Sequence, residues 1–339
     1  MRLPQPLKQG DTIGFFSPSS PATHFAPTRF ARAKQYLESQ GYKLKAGALT
    51  SQSDHYRSGT IQQRADELNA LIRDPDVRCI MSTIGGMNSN SLLPYIDYDA
   101  LIADPKIIIG YSDVTALLLG IYQQTGIITF YGPALVASFG ELAPLVDETF
   151  ASFSALTQIQ SLPYRYEQPQ HWTDAFINWE QQTKAKPVKV NECEFQGEGV
   201  YSGRLIGGNQ NTMMAITGSP YMPDIQKGDI LLVEDCLSDI ATLERTTAQL
   251  KIAGVFDRVS AIILGKHELF KDQGTGRQPI DVYREVLNGQ PMPIINGFDS
   301  CHTHPMLTMP IGGTVKLDFD QNTVEIITPW LAQDENSLS

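Results

Sequence analysis

The stretch Lys106-Ile107-Ile108-Ile109-Gly110-Tyr111-Ser112-Asp113-Val114-Thr115-Ala116-Leu117-Leu118 holds a strand, a sharp turn and the start of a helix. Three consecutive isoleucines suit a strand buried on both faces. Beyond the turn, Val114, Leu117, Leu118 and Ile121 recur at helical spacing, so a helix begins near Asp113. Ser112 therefore falls on a strand-to-helix turn. Such a turn lifts a hydroxyl out of a sheet and aims the next backbone N–H, that of Asp113, at a developing oxyanion. A serine at a helix start is also a common N-cap. The segment by itself leaves both readings open.

Outward from it, strand and helix patterns alternate through the first half. Thr12–Ser17, Tyr42–Ala46, Arg78–Ile84, Lys106–Tyr111 and Ile127–Tyr131 read as strands, with helices over Thr28–Ser39 and Ile61–Arg73. This predicts an α/β fold with a doubly wound, mostly parallel sheet, in which ligands bind beyond the carboxyl ends of the strands. Ser112 lies at one such end and Gly85-Gly86 at another. From about Leu162 to Lys189 the sequence turns polar, with several prolines and the tryptophans Trp172 and Trp179, and reads as a connecting segment. Short β patterns follow at Gly199–Ile206, Asp229–Glu234, Val259–Leu264, Thr314–Asp318 and Thr323–Thr328, with helix patterns around Leu243–Leu250 and Ile280–Leu287. The expected organisation is an α/β domain over 1–162, a connecting segment over 163–190 and a smaller β-rich, barrel-like domain over 191–332.

The length of 339 residues suits two domains, and 42% hydrophobic with 19% charged residues is an ordinary globular composition. A formal charge of −11 argues against a nucleic-acid polymer as partner, because backbone binding needs clustered Lys and Arg. It leaves room for a small nucleotide-like molecule in a local pocket. The first eleven residues carry no apolar run or cleavage site, and no segment is long enough to span a membrane. Cys79, Cys193, Cys236 and Cys301 have no paired spacing, which fits reduced thiols. A cytoplasmic location is the expectation.

A serine nucleophile needs a base and a group to orient that base. Glu234 and Asp235 end the apolar run Ile230-Leu231-Leu232-Val233, and His302 and His304 share the loop Asp299-Ser300-Cys301-His302-Thr303-His304-Pro305. The order Ser, acid, His is that of α/β-hydrolases. Other uses of these residues stay open. Glu234 suits an ordinary strand end, and His302, His304, Cys301 and Cys236 are potential metal ligands, although their spacing fits no zinc motif. Gly85-Gly86-Met87-Asn88 suits a phosphate-cradling turn or, better, a second backbone donor beside Asp113.

Together these segments resemble the serine peptidase family of LD-carboxypeptidases and microcin C immunity proteins. The resemblance runs along nearly the whole chain. It includes Leu7-Lys8-Gln9-Gly10-Asp11-Thr12-Ile13, Ser17-Pro18-Ser19-Ser20, Arg57-Ser58-Gly59-Thr60 and Gly110-Tyr111-Ser112-Asp113. Further on come Gly203-Arg204-Leu205-Ile206-Gly207-Gly208-Asn209, Leu232-Val233-Glu234-Asp235 and the His302 loop before Pro310-Ile311-Gly312. It implies a Ser112–Glu234–His302 triad in a cleft between two domains, an oxyanion hole from the N–H groups of Gly86 and Asp113, no metal or organic cofactor, and a homodimer. His302 is preferred over His304 because it directly precedes a Thr-x-Pro-like segment. Cys301 departs from the family, where many members have glycine.

Within the family, Ile84-Gly85-Gly86-Met87-Asn88-Ser89-Asn90 lacks the Arg-Gly-Gly-Tyr-Gly-like pattern usual in LD-carboxypeptidases. Together with Gly207–Thr212, Ser219–Pro223 and Trp172–Glu180, it is more similar to the microcin C immunity branch. That branch implies hydrolysis of a peptidyl- or aspartyl-adenylate amide, with Trp179 (Trp172 in reserve) stacked on the adenine. Asn211 would contact the nucleotide, and Gly85, Met87 and Asn88 would line the substrate site. Release of D-alanine from muropeptides, and non-catalytic sequestration of a nucleotide-peptide, are the alternatives.

Overall fold

The computed structural model describes residues 2–158 and 160–333. Its first sheet has the order Met309–Ile311, Thr129–Tyr131, Ile107–Gly110, Val77–Ser82, Thr12–Phe16, Lys43–Ala46. All neighbours are parallel except the antiparallel pair of Met309–Ile311 with Thr129–Tyr131. Strand order reverses on either side of Thr12–Phe16, so the crevice beyond its carboxyl end is where a ligand is expected in a doubly wound sheet. Ser17–Ser20 leaves that end, and Gly85–Gly86 and Ser112 leave the same ends of the strands Val77–Ser82 and Ile107–Gly110.

The isoleucine strand is fully buried, as its uninterrupted apolar run requires. The helix Ile61–Arg73 buries Ala65, Leu68 and Ile72 on one face, opens with a Thr60–Gln63 capping box, and stops before the Asp74-Pro75 pair. Helix Leu145–Thr157 was not among the expected elements; its polar Thr149 and Ser152 dilute the helical stripe, yet both hydroxyls accept backbone hydrogen bonds from Met306 and Thr308.

The second sheet has eight strands and curls into a half-barrel. Its centre is four parallel strands, Val200–Asn209, Ile230–Glu234, Ala261–Gly265 and Ile294–Phe298, served by helices Ile240–Ile252 and Pro279–Leu287. Antiparallel strands flank that centre. Strand Ile294–Phe298 escaped the sequence reading because Asn296 and Gly297 interrupt its apolar run. The chain then returns to the first sheet through Met309–Ile311. That crossing fixes the loop bearing His302 close to Ser112.

Gly207 permits close strand pairing within the second sheet, and Gly208 permits the approach of the two sheets. Both have left-handed backbones, and a Cβ on Gly207 would stand 1.8 Å from the Leu232 carbonyl oxygen. One on Gly208 would press on Thr115 and Tyr131 of the first sheet's layer at 2.8 and 2.9 Å. Among the described residues no helix is long and apolar enough to cross a membrane.

One buried carboxylate ties the crevice to folding. Glu67 accepts the backbone N–H of Ser17 at 2.9 Å and of Leu49 at 2.8 Å. Burial pushes its carboxyl up to about 7, against those two hydrogen bonds. A carboxyl raised in the folded state makes the native protein bind more protons than the unfolded chain, so its stabilisation is full below its ordinary value and is lost as pH rises through about 7. The expected loss is roughly 3 kcal/mol between pH 4.5 and 7.5. Denaturant titrations across that range should show the decline in wild type and a flatter dependence in Glu67→Gln.

Candidate active site

Ser112 sits at φ 61°, a left-handed conformation rare for a side-chain-bearing residue. It opens a 3-10 turn, Ser112–Val114, that runs into the helix Thr115–Thr125. Its hydroxyl caps neither helix. It faces a cavity of about 430 Å³ instead. The N-cap reading of Ser112 therefore fails.

Gly85 packs directly on this turn. A Cβ there would stand 2.8 Å from Ser112 Cβ and 3.0 Å from the Asp113 backbone nitrogen. Gly86 follows at φ 147°, where a Cβ would lie 2.3 Å from Ser19 Oγ. Among the described residues, neither the Gly86 nor the Asp113 N–H donates a hydrogen bond within the protein. The Asp113 carboxylate holds the neighbouring turn by accepting the N–H groups of Asn88 at 3.1 Å and Ser89 at 2.9 Å.

The second sheet supplies Glu234 and His302. His302 Nδ1 and Glu234 Oε2 are 2.6 Å apart, and the same oxygen accepts the His302 backbone N–H at 3.2 Å. The other oxygen accepts Tyr131 Oη–H at 2.6 Å and Asn209 Nδ2–H at 3.0 Å. Glu234 is fully buried, which opposes ionisation, but His302, Tyr131 and Asn209 together hold its carboxyl below the ordinary value. Burial also favours a neutral His302 ring, yet the facing Cys236 sulfur and the Glu234 carboxylate outweigh it and raise the ring's pKa well above the ordinary value. His302 Nε2 makes no hydrogen bond, and the ring lies edge-on to Tyr111 with centroids 4.9 Å apart. A neutral His302 with its proton on Nδ1 would present Nε2 to the cavity shared with Ser112.

His304 has a different environment. It is buried, and desolvation with the nearby Lys186 ammonium drives its pKa down to about 3. Its backbone pairs with Thr173 of the connecting segment at 2.9 and 3.1 Å. Cys301 is buried, with Sγ 3.1 Å from Thr303 Oγ1, and its φ is not left-handed, so the loop does not require glycine there. Among the described residues His302, His304, Cys301 and Cys236 form no metal-holding set.

The remaining sequence candidates divide. Gly85, Gly86, Met87, Trp179 and Asn211 line the same cavity as Ser112. Asn88 does not; its Oδ1 accepts hydrogen bonds from Ser19 Oγ at 2.7 Å and Arg64 Nη1 at 3.1 Å, so it braces the glycine turn from behind. Trp172 is also away from the cavity, beneath the ammonium groups of Lys189 and Lys266 at 4.7 and 5.3 Å. Trp179 stacks on Phe25, with the Arg29 guanidinium 4.6 Å from its centroid. Tyr131, Asn209, Glu268 and Lys186 were missed. Tyr131 ends a strand beside the Ser112 strand, which was the available signal; the others carry no local pattern.

The LD-carboxypeptidase N-terminal domain matches residues 13–132, and the LD-carboxypeptidase C-terminal domain matches residues 202–317. The chain belongs to the LD-carboxypeptidase family. It is a serine-type hydrolase. It is 64% identical to a putative carboxypeptidase of Vibrio cholerae over 96% of this chain and 97% of that one. It is 55% identical to the microcin C7 self-immunity protein MccF of Escherichia coli, over 98% of each. A solved structure of MccF in complex with aspartyl sulfamoyl adenosine superimposes with a TM-score of 0.96 at 54% identity, covering 98% of this chain and 100% of that chain.

Proposed function

We propose that this protein hydrolyses the amide-type bond joining an acidic aminoacyl or peptidyl group to a nucleotide, as in microcin C-like compounds, by way of an acyl-enzyme. The supporting observation is the convergence of Ser112, a Glu234-bound His302 and Trp179 on one cavity. His302 Nε2 takes the Ser112 proton as Oγ attacks the carbonyl carbon. The N–H groups of Gly86 and Asp113 receive the oxyanion; such a donor typically contributes about 2.7–4 kcal/mol. The protonated His302 then donates to the leaving nitrogen, and a water activated by the same ring releases the acid. Glu234 holds the ring and balances its charge throughout. The resemblance of the bound-ligand MccF structure supports the nucleotide half of the reading.

The deciding experiment incubates the protein with aspartyl sulfamoyl adenosine and with murein tetrapeptide, and reads products by mass spectrometry. Release of aspartate from the nucleoside is expected. Release of D-alanine alone would replace this reading with muropeptide hydrolysis. Two further outcomes are expected. Trp179→Ala should raise KM about 5- to 100-fold, since base–aromatic stacking contributes roughly 1–3 kcal/mol, with a smaller change in kcat. Because the His302 pKa is raised in the free enzyme, kcat/KM should climb with pH along a limb whose midpoint lies above the ordinary histidine value.

A further inference from the structure

Ser112 and Glu234 belong to different sheets, and one side chain outside the cavity bonds to both. Tyr131 ends the strand Thr129–Tyr131, in register with Gly110 on one side and Met309 on the other. Gly110 precedes the Ser112 turn, and Met309 opens the strand that follows the His302 loop. The Tyr131 ring is fully buried and does not line the cavity. Tyr111 lies edge-on to it at 6.5 Å, and a Cβ on Gly208 would stand 2.9 Å from its Cε2, so the ring has little room to swing.

Its hydroxyl has two partners in the active site. Oη–H donates to Glu234 Oε1 at 2.6 Å, and Oη accepts the Ser112 backbone N–H at a longer 3.4 Å. The direction is fixed. An ionised carboxylate only accepts, so the single phenol proton goes to Glu234 and a lone pair is left for Ser112. Burial and the Glu234 charge raise the phenol's pKa well above the ordinary value, which keeps that proton in place. Ser112 opens its 3-10 turn, so its N–H has no acceptor within the turn, and Tyr131 is its partner among the described residues. The nearby backbone bond from Asn209 N–H to Thr115 Oγ1, 2.9 Å long, also joins the two layers but involves neither Ser112 nor Glu234.

We propose that Tyr131 is a positioning residue that ties the nucleophile's turn to the acid of the triad, its one hydroxyl holding the Ser112 N–H and the Glu234 carboxylate in a fixed relation across the two sheets. The inference rests on acyl transfer at Ser112. The bond to Glu234 also disperses the carboxylate's charge, and so limits how tightly Glu234 holds a proton on His302. The other titratable groups around His302, namely Cys236, Tyr111, Glu268, His267 and His304, make no hydrogen bond to Tyr131.

Tyr131→Phe keeps the ring and deletes both bonds. For aspartyl sulfamoyl adenosine kcat/KM should fall about 5- to 150-fold, chiefly in kcat, because a buried donor and a buried acceptor lose their partner while the cavity wall is untouched. Adenosine monophosphate should bind as it does to wild type. With more charge left on Glu234, the His302 titration followed by NMR and the limb of kcat/KM against pH should both move to higher pH. The Ser112 amide proton should move upfield in the same spectra. Tyr131→3-fluorotyrosine, a stronger donor of nearly the same shape, should move the His302 titration to lower pH. Tyr166→Phe is the control: it deletes a buried hydroxyl that donates to the Thr308 carbonyl at 2.8 Å, and should cost stability without moving either resonance or kcat/KM.

Unchanged His302 and Ser112 resonances in Tyr131→Phe, or equal changes in Tyr166→Phe, overturn the link. Resonances that move while kcat/KM stays at the wild-type value remove the positioning role. Should Tyr131→Phe not fold, the fluorotyrosine variant decides, and a His302 titration that does not move down overturns the link. If wild type cleaves neither the aspartyl nucleoside nor the murein tetrapeptide, the hydrolytic reading fails, and the resonances still decide whether Tyr131 couples Ser112 to Glu234.

Discussion

Ser112→Ala should lower kcat/KM for the aspartyl nucleoside by about 10⁴- to 10⁶-fold, the range seen when a triad nucleophile is removed. The structure gives reasons to expect the upper part of that range. Ser112 is held at φ 61° by a turn that Gly85 touches from one side, which fixes where its hydroxyl enters the cavity. Ser19, another hydroxyl near the glycine turn, is already engaged with Asn88 Oδ1 and the Met87 and Asn88 N–H groups. Alanine in the same strained backbone removes Oγ without disturbing the N–H donors. Binding of adenosine monophosphate should therefore persist while product formation disappears. Product rates by mass spectrometry, alongside calorimetric binding, check this. Retained hydrolysis in Ser112→Ala would remove the nucleophile from the mechanism, and a variant that protects cells while failing to hydrolyse would favour sequestration.

How far the sequence led depended on whether a pattern was local. The first sheet was legible where apolar runs alternate with amphipathic helices; Ile107–Gly110 and Ile61–Arg73 carry the signal inside a dozen residues. The second sheet read as β-rich because its short strands are close in sequence to turns. Its four parallel central strands depend on non-local pairings, such as Leu205 with Ile230, that no local window reveals. The return of Met309–Ile311 to the first sheet is equally non-local, three residues with no alternation.

The site followed the same division. Ser112 and the glycine turn stand at strand ends, so they were found from pattern, and Glu234 ends the apolar strand before it. His302 was separated from His304 by resemblance, whereas in the structure their environments differ: one meets Glu234 at 2.6 Å, the other is held neutral by burial and the Lys186 charge. Asn88 was assigned to the substrate side with the rest of the Gly85-Gly86-Met87-Asn88 turn. A side chain two residues from a turn can face either way, and here Arg64, on a helix far along the sequence, captures it.

The second large effect is expected at Glu234. Glu234→Gln should reduce kcat about 10³- to 10⁴-fold, comparable with the loss when a triad carboxylate becomes an amide. The carboxylate accepts four hydrogen bonds: His302 N–H and Nδ1–H on one oxygen, Tyr131 and Asn209 on the other. An amide keeps one acceptor oxygen and turns an NH₂ toward donors on the other side. If the oxygen stays toward Tyr131 and Asn209, the NH₂ faces His302 Nδ1 and forces the tautomer whose Nε2 carries the proton, useless as a base. If it turns toward His302, Tyr131 and Asn209 meet donors, and a buried pair loses its partners at a cost of about 1–3 kcal/mol each. Activity therefore falls in the first arrangement and stability in the second. The folded-state pKa of Glu234 lies below its ordinary value, so the stability it contributes is present above that value and fades as pH falls. A denaturant titration of Glu234→Gln should consequently show its largest deficit against wild type near neutrality and a shrinking one toward pH 4. Should kcat survive the substitution within tenfold while the protein stays folded, His302 is being oriented by its backbone and Tyr111 alone, and Glu234 leaves the triad.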